Sequence, residues 1–208
     1  SNPFSMTGDA FDEALLSDRL IPRLLFVEIS IFINLHLGNW DNALEMTNRY
    51  RRNPQKVKAH FLHSHNVANA ALVCHEQYKR TKKRKYMSWA RGYHQELVKL
   101  SNQGAVTASA LQLLLEAESS TSTKTKDDAA RKCKHAYDKA IARLQDLQLW
   151  SYEALAKDRA ARSLLQLGQR ATASKFLISA KESYMRWGAD AKVIQLEEDI
   201  ESNFGGHV

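Results

Sequence analysis

"LGQRATASKFLISA", residues 167 to 180, can be laid over "LGNWDNALEMTNRY", residues 37 to 50. In each, an apolar, helix-periodic run ends at Leu-Gly and a two-residue step follows. A second helix-forming run then carries alanine five positions after the glycine, at Ala43 and Ala173. Glycine accepts the left-handed conformation that ends a helix, and a small residue in the second helix lets the pair approach closely. Repetition of this joint predicts helical hairpins that each bury one face against a neighbour.

A degenerate third copy is "DDAARKCKHAYDKAIARL", with Ala129, Cys133 and Ala136 at the small positions and the polar stretch "SSTSTKTK", 119 to 126, in place of its turn. Periodicity and breakers predict helices at 9 to 19, 22 to 37, 39 to 51, 55 to 79, 83 to 101, 106 to 119, 127 to 147, 150 to 167, 169 to 187 and 189 to 202. Pro22 and Pro54 fall near helix starts, where a missing N–H is tolerated. No alternating apolar-polar run is bounded by turn dipeptides, so no sheet is expected.

The expected fold is therefore all-α. It is a right-handed α-α superhelix of tetratricopeptide-like stacked hairpins, since the Leu-Gly joint matches that of tetratricopeptide-like repeats, closed by a C-terminal capping helix. Residues 1–8 read as a leader or an expression remnant, 9–204 as one helical-repeat domain with a flexible insertion at 119–126, and 205–208 as a tail.

Composition agrees. The chain has 208 residues, 44% of them hydrophobic, with three prolines and eight glycines, which suits a packed helical protein. A formal net charge of +7 invites an acidic partner. Cys74 and Cys133 are too few for a disulfide framework and lack metal spacing, which points to buried, reduced thiols and a cytoplasmic setting. The most apolar run, "LLFVEISIFINLHL" (24 to 37), is interrupted by Glu28, Asn34 and His36. It falls short of the ~18 uncharged residues of a membrane span. The N-terminus lacks the basic and apolar regions of a signal peptide.

Two stripes are read as core: Val57, Phe61, Ser64, Ala68, Ala71, Leu72 and Tyr78; and Ala173, Phe176, Leu177, Ala180, Tyr184 and Trp187. In "SYMRWGADAKVIQLEEDI", 183 to 200, Trp187 is expected to be buried as the seal of the last paired helix. Gly188 ends that helix, and Val193, Leu196 and Ile200 share one face of the cap.

The stretch 149 to 197 resembles the end of the helical-repeat region in a family of large signalling proteins. These join a predicted AAA-like, signal-transduction ATPase to tetratricopeptide-like repeats, often with kinase, sensor histidine kinase or cyclase modules. The shared residues are Glu153 to Ala156, Ala160, Ala161, Leu165 to Gly168, Tyr184, Arg186 to Ala189, Lys192, Val193, Leu196 and Glu197. Weaker similarity extends from about residue 24 to 200. No Gly-x-x-x-x-Gly-Lys-Ser/Thr loop and no kinase or cyclase signature occurs, so the family's catalytic activities are not carried over.

Candidate chemistry is sparse. His60 and His63 lie one helical turn apart, but His65 is rotated about 200° from His63 and no carboxylate accompanies the pair, so no metal is expected. Lys79, Arg80, Lys82, Lys83, Arg84 and Lys85 form a basic patch flanked by Tyr78, Tyr86 and Trp89. It reads as a solvated turn, an acidic-protein contact, or a nucleic-acid or anionic-lipid contact. No nucleophile-base arrangement is discernible, so no enzyme is expected and no cofactor is assigned. Consensus groove positions of the repeats project onto Glu28, Phe32 and His36, and onto Asp158, Arg159, Arg162 and Gln166. The expected function is a non-catalytic scaffold or regulatory module binding a protein or peptide within a signalling protein. The alternatives are a basic nucleic-acid-binding repeat and a small-molecule effector sensor.

Overall fold

The computed structural model describes residues 20–52, 62–120 and 125–205, with the side chains of the first helix from residue 25 onward. The predicted leader, the predicted helix 9–19, residues 55–61 of the predicted fourth helix (with Val57, His60 and Phe61) and residues 121–124 lie outside them. Among the described residues the structure is all-helical, with no strand: α1 (Leu20–Leu37), α2 (Trp40–Arg51), α3 (His63–Thr81), α4 (Arg84–Asn102), α5 (Val106–Ser119), α6 (Lys126–Asp146), α7 (Trp150–Gln166), α8 (Arg170–Trp187) and α9 (Asp190–Phe204).

One joint recurs at the backbone level. A left-handed residue follows the helix, and the next residue donates its N–H back to a carbonyl five positions earlier: Asn39 to Asn34, Ala105 to Leu100, Leu149 to Leu144, Gln169 to Leu164 and Ala189 to Tyr184. The left-handed residues are Gly38, Gly104, Gln148, Gly168 and Gly188. This bond pattern satisfies the carbonyls that a helix end leaves open, and the next helix begins directly after it. Gly38, Gly168 and Gly188 were legible from sequence. Gly104 and Gln148 extend the pattern, with Gln148 adopting φ 55° despite its side chain. Gln148 makes the joint between α6, the second helix of the third copy, and α7 without a glycine.

The chain divides into two compact units, residues 1–108 and 109–208. In the first, α1 packs on α2 and α3, and α3 packs on α4. Its core includes Ile31, Leu35, Ala43, Ala68, Leu72, Cys74, Ala90 and Leu97. In the second, α6 packs on α7, α7 on α8 and α8 on α9. Ala173, Leu177, Ala180 and Tyr184 are buried as the stripe predicts, with Phe176 half-buried beside them. α6 starts where the Thr125 side chain accepts a hydrogen bond from the Asp128 N–H, a standard helix N-cap.

Trp187 departs from expectation. It is 37% exposed, tilted against Tyr184 at a centroid distance of 6.1 Å. The helix stops at Gly188, so no further turn of α8 covers the indole. The seal is made by α9 instead: Leu196 is fully buried, with Val193, Ile200 and Phe204 packed around it.

Candidate partner-binding surface

Polar chemistry in the second unit centres on α7, whose residues Tyr152 to Ala161 are all buried. Glu153 Oε1 accepts from Lys157 Nζ at 2.6 Å, Gln145 Nε2 at 2.9 Å and Arg186 Nη2 at 3.0 Å. Lys157 also donates to Ser183 Oγ at 2.8 Å. One turn on, Asp158 pairs with Lys192 at 3.0 Å and with Arg162 at 2.7 Å, and Arg162 reaches Asp199 at 2.6 Å. The Arg159 guanidinium takes Glu118 of α5 in a two-pronged grip, Nη2 to Oε2 at 2.7 Å and Nε to Oε1, and Tyr137 O–H donates to the same carboxylate at 2.6 Å.

Burial alone would raise the Glu153 and Asp158 carboxyls. The hydrogen bonds and positive charges of Lys157, Gln145 and Arg186 on one, and of Lys192 and Arg162 on the other, bring both below the ordinary carboxylate range. Burial first, then the Glu118 charge, pushes the Tyr137 hydroxyl well up, so it stays an O–H donor.

These pairs explain much of the sequence motif in 149 to 197. Glu153, Arg186 and Lys192 tie α7 to α8 and α9, while Ala154, Ala160 and Ala161 are buried without exposed surface. The motif is one of helix docking.

The projected groove positions divide accordingly. Asp158 and Arg159 are buried in the pairs just described, because α9 brings Lys192 over one and α5 brings Glu118 over the other. Arg162 and Gln166 are exposed. In the first unit Glu28 and His36 are buried, and Phe32 is half-buried with its ring 4.4 Å from that of His36. The seven residues thus form no common open face within either unit.

The basic patch is different. Arg80, Lys82, Lys83, Arg84 and Lys85 are exposed and Lys79 is half-buried. They surround the turn from α3 to α4, which Lys82 makes in a left-handed conformation (φ 57°), its N–H bonded to Tyr78 O at 2.8 Å. Arg80 approaches Asp41 at 3.4 Å. Lys79 and Arg80 lie in the last turn of α3, where the helix dipole favours cations. Arg84 and Lys85 lie in the first turn of α4, which has no acidic residue, and there the dipole disfavours them. The flanking aromatics are already engaged. Tyr86 is buried, and Trp89 is covered by the Arg51 guanidinium at 3.4 Å from the ring centroid.

Among the histidines, His63 Nε2 is 3.5 Å from Glu96, burial pushes His65 below its ordinary value, and His60 lies outside the described residues. No group of three His, Cys, Asp or Glu side chains among the described residues could hold a metal ion, and Cys74 and Cys133 are both buried and form no disulfide. No helix among the described residues is long and apolar enough to cross a membrane. Set against known proteins, the chain matches no family model, no curated protein and no solved structure.

Proposed function

We propose that the chain is a non-catalytic, tetratricopeptide-like helical-repeat module of a signalling protein and that it binds an acidic segment of a protein partner at the α3–α4 turn. The recurring left-handed joint supports the repeat reading. The single observation that carries the binding reading is the placement of Lys83, Arg84 and Lys85 around the N-terminus of α4, where cations oppose the helix dipole and have no capping role. An acidic peptide docked there would relieve that repulsion and accept hydrogen bonds from the first turn's N–H groups.

A nucleic-acid contact uses the same cations but also aromatic faces on which bases stack. Burial of Tyr86 and the guanidinium over Trp89 speak against it.

Fluorescence anisotropy with a labelled oligoglutamate peptide, alongside single-stranded DNA of equal length, tests the reading. The peptide should bind, weaken as salt rises, and lose at least about tenfold in affinity when Lys82, Lys83, Arg84 and Lys85 are changed to Gln. Unaltered binding by the fourfold variant contradicts the proposal, and tighter, turn-dependent binding of DNA favours the nucleic-acid reading instead.

A further inference from the structure

The first unit holds a cavity of about 390 Å³ between the end of α2, the start of α3 and one face of α4. Its wall on α4 follows helical spacing: Ser88 and Trp89, then Gly92 and Tyr93, then Glu96. Tyr50 and Arg51 close it from α2, and His63 and Val67 from α3. The volume sits at the lower end of the roughly 300–1,000 Å³ typical of small-molecule sites.

What sets this cavity apart is its polar atoms. Arg51 Nη1, the Tyr93 hydroxyl and His63 Nδ1 are shielded from solvent, and none has a hydrogen-bond partner among the described residues. Among the described residues Arg51 has no ion-pair partner. Its guanidinium lies on the Trp89 ring, which fixes the plane of the fork and supplies no acceptor for its N–H groups. Burial above all pushes the Tyr93 hydroxyl well above its ordinary value, so it remains an O–H donor. A buried donor without an acceptor is strongly unfavourable, and two such donors, Arg51 and Tyr93, around one cavity are better explained by an acceptor that arrives with a ligand. A guanidinium fork with a neighbouring hydroxyl suits a carboxylate. Tyr50 and Val67 suit a flat apolar body beside it.

We propose that this cavity is a binding site for a small, single-ring aromatic carboxylate, whose carboxylate group is held by Arg51 and Tyr93 and whose ring lies against Tyr50 and Val67. The site is separate from the basic turn, and its occupation does not depend on an acidic peptide binding there.

Gly92 provides the control. A Cβ built on it meets nothing within 4 Å, so a larger side chain can enter the cavity without displacing the backbone. The test is isothermal titration of the full chain with 4-hydroxybenzoate, with its uncharged amide, and with inorganic phosphate. The expected result is saturable 1:1 binding of the carboxylate with Kd below ~10 mM and binding at least about tenfold weaker for the amide. Arg51→Gln should weaken binding by about ten- to a hundredfold and Tyr93→Phe by about three- to tenfold. Gly92→Leu should abolish it at an unchanged melting temperature. Equal affinity for acid and amide, wild-type affinity in Gly92→Leu, no carboxylate binding up to ~10 mM, or phosphate binding in preference to carboxylate would each overturn the assignment.

Discussion

The ion pairs along α7 and the polar atoms of the first unit's cavity are buried in opposite ways. In residues 109–208 the buried acids Glu118, Glu153 and Asp158 meet Arg159, Lys157, Arg186 and Lys192 at hydrogen-bonding distance. In residues 1–108 the buried Arg51 Nη1, Tyr93 hydroxyl and His63 Nδ1 line a cavity and have no hydrogen-bond partner among the described residues. A polar group satisfied from within holds helices in register; one left open inside a cavity lowers stability and gains an acceptor only on binding. The difference separates pairs that dock helices from polar atoms left facing a cavity.

The largest effect is expected where a buried pair is broken. Glu118→Ala leaves Arg159 and Tyr137 facing an empty site and should cost about 3–5 kcal/mol by urea unfolding. Replacing both partners, Glu118→Leu with Arg159→Met, should recover most of that loss. A double variant as unstable as the single would mean that the pair does more than satisfy itself. Of similar size is the core: Tyr184→Ala should cost about 3–5 kcal/mol, whereas Trp187→Ala, at the exposed end of the same stripe, should cost about 1 kcal/mol. Near-equal losses would restore the tryptophan to the role of seal.

Acid should separate the units next. Glu153 and Asp158 titrate below their ordinary values of 4.5 and 3.8. Their contribution is therefore complete above those values and lost as pH falls through the lowered ones. His65 is also lowered, from 6.5, by burial that favours the neutral ring, so its contribution begins to fall once the unfolded chain takes up protons below that pH. Residue-resolved NMR through a urea series should show α3 weakening from about pH 6.5 downward and α7 only below about pH 4.5. Simultaneous loss would break the distinction. The smallest effect concerns a joint. Gln148→Gly relieves a left-handed glutamine and should raise stability by about 0.5–1 kcal/mol, read as a shift in melting temperature.

Sequence carried the helices well because their information is local. Periodicity placed α5 at residues 106 to 119 as observed, and the glycines at 38, 168 and 188 marked joints that have the left-handed backbone. The Gln148 and Lys82 turns were not visible, since nothing in a glutamine or a lysine announces a positive φ. Long-range polar partners were also hidden. Glu118 and Arg159 are 41 residues apart and Arg162 and Asp199 are 37 apart, so Asp158 and Arg159 read as groove residues until α9 and α5 were seen over them. Arg51 and Tyr93 had no local signal except the density of Tyr, Trp and His in "YMSWARGYH", residues 86 to 94.

The contrast between the units reduces to two arginines, one paired inside the fold and one held open. Urea unfolding of Arg159→Gln and Arg51→Gln, measured side by side without ligand, puts it to the test. The account predicts that Arg159→Gln loses about 3–5 kcal/mol because it strands the buried Glu118 carboxylate, while Arg51→Gln is as stable as the parent chain or more so. Destabilisation of Arg51→Gln to the same degree would contradict it and make Arg51 a structural residue like its counterpart.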